Sequence, residues 1–203
     1  MKFKFIFILF NIIIVVFLLF IFIFPIFILG RDFSFSFWGI SWPVALFLVL
    51  LLFAINLFYV YNRILFRLLE REDWPALAQY LEERVISRGR YSRQLVKLLA
   101  NTYLVLSDPH SVINLEKKLS LAKPALIDTN SLIFGIARIL AGDSKGAAAY
   151  FSHRVTLPKN ENPQWIEWYR GFSCLLGEEF EISANSFLIT VSESRLPLLI
   201  GLS

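Results

Sequence analysis

The stretch Phe134-Gly-Ile-Ala-Arg-Ile-Leu-Ala-Gly-Asp-Ser-Lys-Gly-Ala-Ala-Ala-Tyr-Phe151 decides the fold. Its first half is apolar at helical spacing, Gly142-Asp143 interrupts it, and a second helix-like run follows with Asp143 placed as its N-cap. Helix, tight turn and helix make a hairpin that cannot cover its own apolar face, so it must stack on neighbours.

Working outward, the same punctuation recurs every 35 residues, at Glu72-Asp73, Ser107-Asp108, Gly142-Asp143 and Gly177-Glu178. With 72, 107, 142 and 177 as equivalent positions, the residues eight before are Ile64, Leu99, Phe134 and Tyr169, and those three before are Leu69, Leu104, Ile139 and Cys174. Five after stand Leu77, Val112, Ala147 and Ile182. The position four after reads Ala76, Ser111, Gly146 and Glu181, so the apolar columns recur in phase and are not general greasiness. Asp73, Asp108 and Asp143 are placed to cap the second helix of each pair, and Pro75 and Pro109 lie in its first turn, where an amide donor is not needed.

These residues resemble the tetratricopeptide repeat family, through Phe134-Gly135, Gly142-Asp143, Ala147-Ala148, Phe151 and Pro158, and again through Trp165, Gly171, Gly177 and Phe187. Trp74, Leu77 and Leu81 supply a poorer copy of the second helix. The resemblance covers residues 62–193. It departs from the family in its period, which is usually about 34 residues, in Leu65 and Arg170 where helix A has a small residue, and in Glu72 and Ser107 at the turn glycine. It implies an adaptor whose concave face binds a peptide or helix, and it carries over no catalytic residue.

The first 61 residues are a different kind of chain. The protein has 203 residues, 57% of them hydrophobic with 21 Phe, and a mean hydropathy of +0.62, and most of that excess precedes residue 62. From Phe5 to Gly30 no charge occurs and Asn11 is the one polar side chain, giving a helix of roughly 38 Å against a hydrocarbon core of ~30 Å. Lys2 and Lys4 imitate a signal peptide, but the apolar run is too long and no small-x-small cleavage site follows, so a retained span over residues 5–30 is expected. Gly30 should end that helix. Residues 31–43, with alternating Phe followed by Trp38 and Trp42, read as a short link in the headgroup region, and a second span is expected over residues 44–61. Trp38, Trp42, Tyr59 and Tyr61 are candidate interfacial anchors. Asn11 and Asn56 match in depth, seven residues from Lys4 and from Arg63, so a hydrogen bond across the hairpin is expected.

Lys2, Lys4, Arg63, Arg67 and Arg71 flank the hairpin, while Arg31 alone lies in the link, so the positive-inside rule puts both termini in the cytoplasm of an inner (plasma) membrane protein that spans twice. A two-span anchor ahead of such repeats is similar in architecture to the HemY-like bacterial membrane proteins. No Gly or Pro separates the second span from the first repeat, so one helix should run through both. By length, the loop at 88–90 should return to the bilayer, making Arg84, Arg88, Arg90, Arg93 and Lys97 candidates for contact with anionic headgroups.

Catalytic chemistry has no residues to name. His110 and His153 belong to no metal-ligand pattern, Cys174 stands alone, and no nucleophile elbow, phosphate loop or dinucleotide fingerprint occurs. No enzyme, cofactor or metal site is expected. Residues 62–203 carry 17 basic against 15 acidic side chains, so the pI near 9.3 does not point to nucleic acid. Trp165, Trp168 and Phe151 are the candidate partner-binding residues, since both Trp cannot easily share the packed face with Tyr169. Residues 196–203 are expected either to fold over Ile182, Leu188 and Ile189 or to leave an apolar surface for a second molecule, a homo-oligomer.

The expectation is an all-α chain: a two-helix membrane hairpin over residues 1–61, then a solenoid of four tetratricopeptide-like hairpins over 62–203, acting as a membrane-anchored scaffold for unidentified proteins. The alternative is an accessory or assembly subunit of a membrane enzyme, transporter or envelope or motor complex, with the spans making the main contact. An array facing the periplasm is a further possibility.

Overall fold

The computed structural model describes residues 3–157, 162–193 and 202, excepting the side chains of residues 3, 4, 29, 31–37 and 193. The fold is all-helical, with no strand among the described residues. Contacts divide the chain into two compact units, Met1–Asp73 and Trp74–Ser203.

The first unit is one long element, α1 (Phe3–Glu70), broken at Gly30, whose φ of 79° and ψ of 173° are open to glycine at no steric cost. The break makes two arms. Asn56 Nδ2 donates to Asn11 Oδ1 at 2.6 Å, Phe7 stacks on Tyr59 at 4.0 Å between centroids, and Phe22 meets Trp38 at 6.2 Å. Partner numbers fall on one arm as they rise on the other, so the arms are antiparallel. Each Asn also donates to the carbonyl one turn back in its own helix, at 2.8 Å in both cases, to Phe7 and to Leu52. Two stretches, Phe5–Ile28 and Trp38–Glu70, are long and apolar enough to cross a membrane.

The expected link at 31–43 is corrected: the backbone is helical from residue 31 onward, straight through Pro43. A helix satisfies its backbone groups within its own segment, so the chain turns at one glycine and resumes its hydrogen bonds. The second arm then runs unbroken to Glu70, as the absence of Gly and Pro after residue 43 predicts.

The second unit contains α2 (Trp74–Glu82), which ends in a π-helical turn (Glu83–Ser87), then α3 (Arg93–Val105), α4 (Pro109–Ala122), the single turn α5 (Ala125–Asp128), α6 (Ser131–Leu140), α7 (Ser144–Val155), α8 (Pro163–Leu176) and α9 (Phe180–Glu193). The helices pair in sequence: α3 packs on α4, α6 on α7 and α8 on α9, while α2 packs on α3, α4 on α6 and α7 on α8.

One turn geometry recurs. Glu72, Ser107, Gly142 and Glu178 all have positive φ, between 53° and 80°. The amide of each bonds the carbonyl three residues back, and the next amide bonds the carbonyl five residues back, as in Asp108 to Tyr103 at 2.9 Å and Asp143 to Arg138 at 3.0 Å. This is the double hydrogen bond of a Schellman ending, and it satisfies two carbonyls that the helix end leaves free. Asp108 Oδ1 then accepts from the Ser111 amide at 3.0 Å and Asp143 Oδ1 from the Gly146 amide at 2.8 Å, so these two N-caps form as the sequence predicts.

The fourth turn corrects the sequence register. Its left-handed residue is Glu178, where the sequence suggests Gly177, so the last repeat is one residue longer. The inward column of α9 therefore takes Ser183, 2% exposed, while the expected Ile182 is 48% exposed. Ser186 and Thr190 continue that buried stripe, their hydroxyls turned back to the helix carbonyls at 3.0 and 2.9 Å. The same shift removes an apparent departure from the repeat pattern. Counted from 178, the small residue of the first helix is Gly171 instead of Arg170, in line with Ala100 and Gly135. Pro158 and the expected packing of residues 196–203 lie outside the described residues, Leu202 aside.

Candidate interaction surface

The site candidates follow from how α7, α8 and α9 interlock. In α8, positions 165, 168, 169 and 172 share one helical stripe, and all four are aromatic. Trp168 stacks on Phe172 at 5.3 Å between centroids and meets Tyr169 edge-on at 5.0 Å; Trp165 lies 6.2 Å from both Trp168 and Tyr169. The cluster continues into the neighbouring helices, with Trp168 at 6.1 Å from Phe187 of α9 and Tyr169 stacked at 5.7 Å on Phe151 of α7. Trp165 and Trp168 are both half-buried, so both Trp do share one face, and each keeps an accessible edge. Burial raises the Tyr169 pKa.

Phe151 is a correction: it is fully buried and belongs to the core, out of a partner's reach. Its ring lies against Gly135 of α6, so closely that a side chain on Gly135 would overlap it. Phe187 and Gly171 stand in the same relation in the next pair, with more room.

The opposite side of α8 borders a groove of about 410 Å³ lined by Val155, Pro163, Gln164, Glu167, Arg170 and Thr190 among others. Arg170 pairs with Glu167 at 2.6 Å, and its Nε donates to Ser186 Oγ at 3.0 Å, so its charge is compensated inside the protein. The ion pair is built into the repeat.

A second polar cluster escaped the sequence reading. Glu116 of α4 pairs with Arg138 of α6 at 2.7 Å, both mostly buried, and Arg138 lies 4.2 Å above the ring of Tyr150 in α7. Arg154, 5.1 Å from the same ring, pairs with Asp128 of α5. Burial, and then the charge of Glu116, raise the Tyr150 pKa so that its hydroxyl keeps its proton. The signal was present in the columns: Glu116 occupies the place held by Leu81, Phe151 and Phe187 in the other repeats, and Arg138 that of Leu68, Tyr103 and Cys174. Charges in apolar columns of adjacent repeats mark a buried pair.

Of the basic candidates, Arg88, Arg90, Arg93 and Lys97 are exposed around the loop from the π-helical turn to α3, with Arg88 bonded to Glu83 at 2.7 Å. Arg84 is half-buried, its Nη1 donating to Tyr80 Oη at 2.8 Å. Of the aromatic anchors, Trp42 and Tyr61 are exposed, while Trp38 and Tyr59 are half-buried against Phe22 and Phe7. Among the described residues no three His, Cys, Asp or Glu side chains come together as a metal site.

Fold and surface together define an all-helical protein with two apolar helices that could span a membrane and a set of paired helices joined by one recurring turn. A family model described as "Uncharacterised Treponema protein" matches residues 111–203. An "Uncharacterized protein" of Treponema pallidum (strain Nichols) is 35% identical over 155 residues, which are 76% of this chain and 49% of that protein. The chain thus spans about half the length of the curated relative it matches. No solved structure matches.

Proposed function

We propose that this protein is a membrane-anchored adaptor. The α1 hairpin holds it in an inner membrane with both flanks on the cytoplasmic side, and stacked tetratricopeptide-like helix pairs offer a surface to other proteins. The observation that carries the reading is the recurrence of one turn at 72, 107, 142 and 178, joined in the last two pairs by a glycine in the helix before the turn that lies against a Phe in the helix after it, Gly135 with Phe151 and Gly171 with Phe187. Repetition of that kind builds an extended surface. Basic residues on both flanks of the hairpin support the orientation.

Crosslinking in native membranes with identification of the captured chains tests the reading, comparing the unaltered protein with Trp165→Ala/Trp168→Ala. Loss of a specific partner at unchanged helical content supports the α8 surface. An unchanged partner list moves the contact to the hairpin, the arrangement of an accessory subunit, and self-crosslinks alone would replace the adaptor with a homo-oligomer.

A further inference from the structure

The two arms of α1 leave a groove of about 270 Å³ between them, walled by Ile6, Phe7 and Phe10 from one arm and by Ile55, Tyr59 and Phe66 from the other. The groove is built into the hairpin. The arms are fixed at this level by the Asn11–Asn56 hydrogen bond and by the stacking of Phe7 on Tyr59, and Phe66 in turn stacks on Tyr59 at 5.9 Å. Its walls are almost wholly apolar.

Residues 55, 59, 63 and 66 follow one another along a single stripe of the helix. Arg63 therefore sits on the groove line between Tyr59 and Phe66, and Arg67 follows one turn on. Both are exposed, and neither forms an ion pair with a described residue. An apolar slot with two guanidinium groups beside it on the same helix, neither paired with a described acidic residue, is complementary to an amphiphile with a hydrocarbon chain and an anionic head.

We infer that this groove is a binding site for an anionic phospholipid, with one acyl chain between the arms and the phosphate at Arg63 and Arg67. The inference rests on the reading that α1 lies in a bilayer. Surrounding lipid tails are as apolar as the groove, so chain packing gives little preference between lipids, and selection falls on headgroup charge. Arg suits a phosphate, since its planar fork can donate two hydrogen bonds at once.

The test uses the full chain in phosphatidylcholine vesicles doped with a photoreactive lipid carrying a diazirine in its acyl chain, either phosphatidylglycerol or phosphatidylcholine. Crosslinked peptides are mapped for the unaltered protein, for Arg63→Gln/Arg67→Gln, and for Ile6→Trp, which fills the slot. The expected result is phosphatidylglycerol crosslinking concentrated in residues 6–10 and 55–66, falling roughly tenfold or more in the arginine variant and lost in Ile6→Trp. Equal labelling by the two lipids, labelling spread evenly along both arms, or crosslinks from residues 6–10 to a second copy would each overturn the proposal. Vesicle flotation at high salt separates this from failure of the underlying reading: a chain that does not float is not in the bilayer at all, whereas one that floats without lipid preference refutes the groove alone.

Discussion

Gly135→Ala is the sharpest perturbation of the paired helices. Position 135 is inside α6, where Ala is favoured over Gly by ~1 kcal/mol, so propensity alone predicts stabilisation. Packing predicts the reverse. A Cβ at residue 135 would stand 2.5 and 2.7 Å from Cε1 and Cε2 of Phe151, and closer still to Cζ. That ring is fully buried, between Tyr150 edge-on at 5.7 Å and Tyr169 stacked at 5.7 Å, so it cannot swing into solvent. Overpacking of this kind costs ~1–3 kcal/mol, which leaves a net loss of up to ~2 kcal/mol once propensity is subtracted, or a fall in Tm of up to about 8 °C. The assay is thermal and urea unfolding of the full chain in detergent, followed by the fluorescence of Trp165 and Trp168, which adjoin the cluster. The cycle is completed with Phe151→Leu, whose shorter side chain vacates the space taken by Cε1, Cε2 and Cζ. Phe151→Leu is itself destabilising, but adding Gly135→Ala to it should be neutral or stabilising. A Gly135→Ala variant stabilised by the full ~1 kcal/mol that propensity alone predicts, or one whose effect is the same in both backgrounds, would refute the contact. Gly171→Ala is the internal control: its nearest neighbours, in Phe187 and Ser186, stand at 3.1 Å, so the change should be within about 0.5 kcal/mol of neutral.

Further outcomes follow from the turns, the cap and the hairpin. Ser107 holds a φ of 57°, and Ser107→Gly should stabilise by a few tenths to about 1 kcal/mol, read as an increased urea midpoint at constant m-value. Hydrogen bonds from the hydroxyl and the amide of Ser111 hold the Asp108 pKa below its ordinary value, so the cap's contribution is fully present above the unfolded carboxylate pKa and is lost as pH falls through the lower folded value. Asp108→Ala should therefore cost ~1 kcal/mol at neutral pH, with the gap to the parent closing under acid conditions. Cys174 is buried, and burial, followed by the charge of Glu179, raises its thiol pKa, so alkylation at mildly alkaline pH should be slow in the folded protein and fast in denaturant. Replacing Asn56 alone by Leu should loosen the hairpin by ~0.6–2 kcal/mol in unfolding from bicelles, since Asn11 Oδ1 then loses its donor, and replacing both Asn11 and Asn56 should cost no more than that single change.

Much of this architecture was legible in the sequence because it rests on local chemistry. A helix end needs a residue tolerant of positive φ and a carboxylate to cap the next helix, and Ser107-Asp108 and Gly142-Asp143 show both directly. The Asn11–Asn56 bond could be anticipated for a similar reason: two polar side chains at matched depth in apolar helices have few other partners. The break at Gly30 is likewise a one-residue property.

What only the tertiary structure decided depends on neighbours distant in sequence. Gly177 and Glu178 stand side by side, and nothing local says which one takes the left-handed conformation; packing of α9 on α8 selects Glu178, and with it turns Ser183, Ser186 and Thr190 inward and Ile182 outward. Phe151 reads equally well as core or as surface until Gly135 is seen to make room for its ring. The link after Gly30 carries a strand-like alternation of Phe, yet its backbone is helical, since the hydrogen bonds of a helix need no partner strand. Glu116 and Arg138 are ordinary surface charges within their own helices and become a buried pair once α4 packs on α6. Sequence determines which local conformations are cheap, and packing determines which faces meet, because a one-residue shift costs little along the chain and moves every contact across it.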